Sequence, residues 1–243
     1  MGLPRLNTVE YFETLPISKM EVKYRPFNVG EQKVLLQALE EGEAKAISNA
    51  LLSLIRVCTE FEDSRTKIEQ LSNTDLEWLF IKIRQKSVGE TTKILLGCID
   101  QPNCDGKTTL DIDFNEMKIE GEVKDGKVHL TDNVGVVLKV PSFTDVNKIS
   151  GNFDSDFSTT DTIFKLLGRC ITQIFDADNV YDTAEFTATE IDDFIEDLSV
   201  DQFNTLMGWF ESVPKLIYNA EFQCEKCGLE QAQELQGLQN FFV

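Results

Sequence analysis

Residues 224–228 read Cys-Glu-Lys-Cys-Gly, within FQCEKCGLE at 222–230. Two cysteines two residues apart, closed by a glycine that lets the chain turn back, have the spacing of a metal knuckle. The segments on either side, LIYNAEFQC at 216–224 and LEQAQELQG at 229–237, read as strands, so the knuckle is expected at the tip of a β-hairpin. A second cysteine pair lies far upstream. Cys98 and Cys104 sit in LLGCIDQPNCDG at 95–106, a turn-rich loop between two expected strands, with Pro102 and Asn103 shaping the bend.

Two cysteine pairs, each on a hairpin tip, are the plan of a zinc ribbon, here split across the sequence. The gap in the first pair is wider than usual. Cys98, Cys104, Cys224 and Cys227 are therefore candidate ligands of a structural Zn²⁺, and the alternative is a set of reduced, buried thiols. Four thiolates around one ion would leave no open position for water or substrate. A shared ion would also tie the end of the chain to its middle. Cys58 and Cys170 sit on the apolar faces of expected helices and read as core residues.

Working outward, Asn28 and Glu31 have capping-box spacing, and Val34, Leu35, Ala38 and Leu39 follow on one face of a first helix that ends at Gly42. A second helix is expected from about Glu43 to Phe61. A third, capped by Asn73 or Thr74, places Leu76, Leu79, Phe80 and Ile83 inside. Residues 9–29 read as an extended docking arm with Met20, Val22 and Tyr24 on one side, ended by Pro26. From Gly89 the pattern changes to strands at 91–98, 107–114, 118–124, 127–131 and 134–140, split by Asp105-Gly106, Asp125-Gly126 and Asn133, as in a small antiparallel sheet or meander. Residues 150–161 read as a loop. TDTIFKLLGRCITQIF at 160–175 reads as an amphipathic helix, and further helices are expected from Thr187 or Thr189 and after Ser199.

The expected fold is α+β: helical N- and C-terminal parts around a small antiparallel β-sheet, with a split zinc-ribbon-like element. The divisions are an arm and helical region at 1–89, a β-rich region at 90–141, a helical region at 142–215 and a knuckle hairpin at 216–243 packing on 90–141, all in one compact unit. No strand–helix–strand alternation appears, which argues against a nucleotide-binding α/β fold.

Composition narrows the function. The 243 residues carry 42 acidic and 23 basic side chains, a formal charge of −19, so phosphate backbones and anionic membranes would be repelled. Nucleic acid is not an expected partner. The start, MGLPRLNTVEYFETLP, lacks the apolar run of a signal peptide, and Leu6 stands where a myristoylation signal needs Ser or Thr. The longest apolar stretches, such as VGVVL at 134–138, are far short of the roughly 20 residues a membrane span needs. A cytoplasmic setting is expected, in which cysteines bind metal or stay reduced.

Catalysis finds little footing. His129 is the only histidine and lies in a strand pattern; GxSxG, GxxxxGK[ST] and GxGxxG are missing. The acidic pairs at 111–114, 154–156 and 192–193 follow from composition and read as solvated faces, without the spacing of a calcium loop.

Three passages taken together, the Tyr24-Arg25-Pro26-Phe27 arm leading into Glu31-Gln32-Lys33-Val34-Leu35-Leu36, the helix ending at Cys58, and the tail FQCEKCG…ELQGLQNFF, resemble a baseplate hub assembly protein of T4-like contractile-tailed bacteriophages. The resemblance implies a non-enzymatic role: building the central hub of the tail baseplate by contacts with other hub proteins, in the host cytoplasm during assembly. The alternatives are a minor structural component retained in the virion baseplate, and a zinc- or thiol-dependent enzyme. Aromatic residues near the chain ends either pack on the core or meet a partner, which makes Tyr24, Arg25, Phe27, Phe241 and Phe242 candidate partner-binding residues.

Overall fold

A computed structural model describes residues 8–61, 68–100, 103–150 and 160–237. The first elements are β1 (Tyr11–Thr14), β2 (Glu21–Tyr24), α1 (Val29–Glu41), α2 (Ala44–Cys58), β3 (Thr59–Phe61) and α3 (Asn73–Ser87). Then come β4 (Thr91–Gly97), β5 (Lys107–Asp113), β6 (Lys118–Glu120), β7 (Lys127–His129), β8 (Gly135–Leu138), α4 (Phe143–Ser150) and α5 (Thr160–Cys170). The chain continues with β9 (Ile171–Phe175), β10 (Val180–Asp182), α6 (Ala188–Glu196), α7 (Val200–Ser212), β11 (Lys215–Gln223) and β12 (Glu230–Gln236). The fold is α+β with antiparallel sheets throughout. It has four small sheets among the described residues, ordered β1-β2-β3, β4-β5, β12-β11-β6 and β10-β9-β8-β7, where sequence patterning suggested one. The five central strands are shared among three of these sheets, because β6 pairs with β11, β7 with β8, and β8 with β9. Asp125-Gly126 consequently joins strands of different sheets instead of turning a hairpin.

The chain divides into two units, one within 1–68, 74–120 and 215–243, the other within 69–73 and 121–214. In the first, the expected arm is a hairpin: Tyr11 lies opposite Tyr24, and β3 joins the free side of β2 with Phe61 opposite Val22. Val22 and Tyr24 are buried as the alternation requires. α2 ends at Cys58, short of the expected Phe61, because the Cys58 carbonyl accepts from the Arg25 N–H at 2.9 Å and the next three residues join β2. The capping box of α1 is reciprocal: Asn28 Oδ1 accepts from the Glu31 N–H at 3.0 Å, and Glu31 Oε2 accepts from the Asn28 N–H at 2.8 Å. Val34, expected inside, is exposed, while Leu35 and Ala38 are buried.

Helix α3 is enclosed on nearly every side. Leu76, Leu79, Phe80 and Ile83 are buried as expected, and so are Asp75, Glu77, Ile81 and Gln85. A fully buried carboxylate needs donors. Asp75 has them in the turn after β1, where the Ile17 and Ser18 N–H groups donate at 2.8 and 3.0 Å.

In the second unit, Val136, Leu138, Leu167, Ile171, Ile191, Ile195, Leu206 and Trp209 form the core. The helix expected over 160–175 stops at Cys170. Ile171, Thr172 and Ile174 are β-branched and stiff at χ1, and they extend as β9 with Ile174 opposite Val136. Helices α6 and α7 begin in capping boxes, Thr187 with Glu190 and Ser199 with Gln202. Trp209 Nε1–H donates to the Asp125 carbonyl at 3.1 Å, which holds the segment before β7 against α7.

Two outcomes follow from these contacts. Asp75→Ala leaves two turn N–H groups without an acceptor and should destabilise the first unit by about 2–3 kcal/mol in denaturant unfolding, with Asp75→Asn costing less. The Arg25 guanidinium, forked onto Glu31 at 3.0 and 2.7 Å, holds the Glu31 carboxyl below its usual range. The pair therefore contributes stability that is complete above about pH 4.3 and disappears as pH falls through the lowered value. The stability gap between wild type and Glu31→Gln should shrink on acidification; a gap independent of pH would show that the charge does not matter there.

Candidate metal centre

Strands β4 and β5 pair from Thr91 opposite Asp113 to Gly97 opposite Lys107, and this ladder presents Cys98 and Cys104 at its tip. The Cys98 N–H donates to the Gly106 carbonyl at 2.9 Å, and the Asn103 and Cys104 N–H groups both donate to the Asp100 carbonyl, which winds the loop inward. Pro102 lies outside the described residues. Strands β11 and β12 pair from Ile217 opposite Gln236 to Gln223 opposite Glu230, so Cys224 and Cys227 occupy the second tip. There the Cys224 N–H donates to the Leu229 carbonyl and the Gly228 N–H returns to the Cys224 carbonyl, both at 2.9 Å. Gly228 has φ 74°, the left-handed conformation that a glycine adopts without strain.

The four sulfurs meet. Their Sγ atoms lie within 4.8 Å of one another, with Cys98 3.7 Å from Cys227 and Cys104 3.8 Å from Cys224. Each short contact crosses between the two hairpins. These distances are far too long for disulfides, whose sulfurs bond at about 2.05 Å. They match a tetrahedron: thiolates about 2.3 Å from a central Zn²⁺ stand about 3.8 Å apart. Cys98, Cys104 and Cys224 are buried and Cys227 is exposed. The donor set and its spacing thus fit one tetrahedral ion, and the four cysteines can hold a metal.

Several groups around the sulfurs were not singled out by sequence reasoning. Thr108 Oγ1 accepts from the Glu225 N–H at 3.1 Å, Gln231 Oε1 accepts from the Ile99 N–H at 2.8 Å, and Gln233 Nε2 donates to the Gly97 carbonyl at 2.8 Å. Lys226 and Asp105 form an ion pair from tip to tip. Gly106 is the tightest point: a Cβ there would lie 2.7 Å from Cys224 Sγ, 2.8 Å from Lys226 Cβ and 3.1 Å from Cys104 Sγ. Its dipeptide with Asp105 signals a turn, but only the fold shows that a sulfur occupies the space of its missing side chain.

The sulfurs also differ electrostatically. The N–H groups of Cys227 and Lys226 stabilise a thiolate on Cys224 and bring it down to about 7. The Asp100 N–H acts in the same sense on Cys98, but burial and the adjoining sulfurs outweigh it and push that thiol up to about 12. Cys104 is likewise raised, with the Gly106 N–H outweighed by burial and its neighbours.

A model of the T4 bacteriophage base plate protein family matches residues 8–243. The chain belongs to this family. No curated protein and no solved structure matches it. The match takes in all four cysteines of the baseplate protein and both of its units. None of the described helices is long and apolar enough to cross a membrane.

The candidate partner residues of the arm are engaged within the baseplate protein itself. Tyr24 is 4% exposed and its ring lies 5.6 Å from that of Tyr11. Arg25 is bound to Glu31 and to the Val57 carbonyl, and the Phe27 N–H donates to Ser87 Oγ at 2.9 Å. Phe241 and Phe242 lie outside the described residues. Cys58 and Cys170 are buried apart from the cluster, and burial raises both thiols, Cys58 to about 12.

Gly106→Ala should open the cysteine cluster, costing about 1–3 kcal/mol as overpacking does. Thermal unfolding checks this, with Gly208→Ala, where an added Cβ would meet nothing within 4 Å, as the comparison.

Proposed function

We propose that this baseplate protein serves assembly of the central hub of a contractile phage tail, through contacts with other hub proteins and without catalysing a reaction. The observation that carries the reading is the match to the base plate protein family from residue 8 to residue 243. It acts in the host cytoplasm while the baseplate is built. The residues proposed to meet a partner are Tyr24, Arg25, Phe27, Phe241 and Phe242, with Tyr24 and Arg25 also serving the chain's own packing. The acidic surface supports the same role, since a charge of −19 can shield a partner's basic face, and complexes formed this way weaken as salt rises.

In this reading Cys98, Cys104, Cys224 and Cys227 hold one structural Zn²⁺ in a split zinc ribbon. Four sulfurs fill the coordination sphere, so the ion braces two hairpins and offers no site for substrate. A second reading, favoured by the family's description as a base plate protein, is a minor component that stays in the virion.

The tests separate these parts. In a phage lacking the chain, hub intermediates should fail to form, and they should form again when the wild-type protein is supplied. Normal hubs without it would overturn the assembly role. Its presence in purified particles would assign it as a component, its absence as an assembly factor. Metal analysis should find one zinc per chain. Cys224→Ser should lose it and melt on the order of 10 °C lower, as expected for about 3–5 kcal/mol in a protein of this size. A cobalt-substituted form with an exchangeable water ligand would contradict the closed site.

A further inference from the structure

The four sulfurs of the cluster are unequally open to solvent. Cys98, Cys104 and Cys224 are 1%, 6% and 2% exposed, whereas Cys227 lies in a run from Glu225 to Glu230 in which every residue is exposed. A small solute therefore reaches one sulfur before the other three. Against that sulfur lies one from the opposite hairpin, Cys98 Sγ at 3.7 Å. The two remaining thiols of the chain, Cys58 and Cys170, are buried outside the cluster.

The two neighbours also differ in how firmly they are held. The Cys98 N–H donates to the Gly106 carbonyl at 2.9 Å, and the next N–H, that of Ile99, donates to Gln231 Oε1 at 2.8 Å. Cys227 stands on the exposed turn of its hairpin, one residue before Gly228. Bonded sulfurs are about 2.05 Å apart, so Cys227 Sγ has roughly 1.7 Å to travel, which a side-chain rotation on an exposed turn covers. An accessible sulfur beside a sheltered one is the arrangement in which oxidation stops at a disulfide, because the second thiol intercepts the first oxidation product.

We propose that Cys227 is an oxidation site for peroxides, that Cys98 resolves it, and that the resulting disulfide between the hairpins replaces the metal as their clasp. The Cys227 thiolate attacks one oxygen of hydrogen peroxide: an S–O bond forms, the O–O bond breaks, hydroxide leaves, and the sulfur becomes a sulfenic acid, two electrons poorer. The Cys98 thiolate then attacks the Cys227 sulfur, an S–S bond forms, the S–O bond breaks, and a second hydroxide leaves. Both hydroxides take protons from solvent, so one peroxide becomes two waters and two thiolates become one disulfide. A cluster with two of its sulfurs so bonded retains two ligands, Cys104 and Cys224, and gives up its ion. The hairpins nonetheless stay joined, now through residues 129 apart in the chain. The consequence for the ion rests on the reading of the four cysteines as a zinc site, whereas the disulfide itself does not.

The full-length protein as purified is treated with equimolar hydrogen peroxide, and thiols, zinc and disulfides are followed together. Two of the six thiols should disappear, and zinc should appear in solution, trapped by a coloured chelator, at the same rate. Peptide mapping without reduction should join the peptide of Cys98 to that of Cys227 and leave Cys58 and Cys170 free. Dithiothreitol with added zinc should restore the starting state. Dimedone present during oxidation should label Cys227, and Cys98→Ser should increase that label; the map and the label on the wild-type chain decide the matter even where this variant fails to fold. A disulfide from Cys224 to Cys227 within one hairpin, a disulfide between two chains, first labelling at another cysteine, or no loss of thiols would each overturn the site. Zinc retained after the disulfide has formed would overturn the exchange of clasps. Protein that holds no zinc when purified, yet forms the same disulfide, would overturn the zinc reading and support the oxidation site.

Discussion

The pairing of β6 with β11 is the constraint on which the first unit depends. Glu120 lies opposite Lys215 and Ile119 opposite Leu216, so residues 121–214 leave and return on adjacent strands of one sheet. Closing a loop of that length costs about 4 kcal/mol plus a constant. Three paired residues on each strand would hold it poorly. The same join is carried further by the links of Glu225 to Thr108, Ile99 to Gln231 and Gln233 to Gly97, and it ends in the four sulfurs. The cysteine cluster is thus the far end of a seam that begins at Ile119, and an ion there would resist opening of the two hairpins.

At the seam, burial raises the thiols of Cys98 and Cys104, while backbone N–H groups lower Cys224. The environment suits a cation that can replace the protons of all four.

What could be read from sequence was whatever a short window determines. The capping box of Asn28 and Glu31, the helix starts at Thr187 and Ser199, and the hairpin around Cys224 and Cys227 all depend on residues within a few positions of one another. The convergence of the two cysteine pairs was legible for a different reason: a tetrahedral donor set demands four ligands, and the sequence offers a second pair on a hairpin tip. The misreadings are all non-local. Ile171–Phe175 continues a helical pattern, and only the neighbouring β8 makes it a strand. Residues 118–120 sit in a run that suggested a meander, and their partner lies about a hundred positions away. The burial of Asp75, which drew no reading from the sequence, follows from a turn near the N-terminus that no local pattern connects to it. Gly106 announces a turn and conceals a steric role.

Topology also orders the events of folding. The sheet and helices of the second unit, apart from residues 69–73, use contacts within 121–214, and its four strands are joined by short or helical connections. Local contacts form quickly because little loop entropy opposes them. The first unit is different: β6 has no partner, and Cys98 and Cys104 have no second pair, until the chain has been made through Cys227. Cys98 and Cys104 therefore precede their partner cysteines in the chain by the whole of the intervening unit. A late, distant partner is a poor arrangement for speed. The four sulfurs can assemble only once the chain has been made through Cys227 and Ile119 lies opposite Leu216.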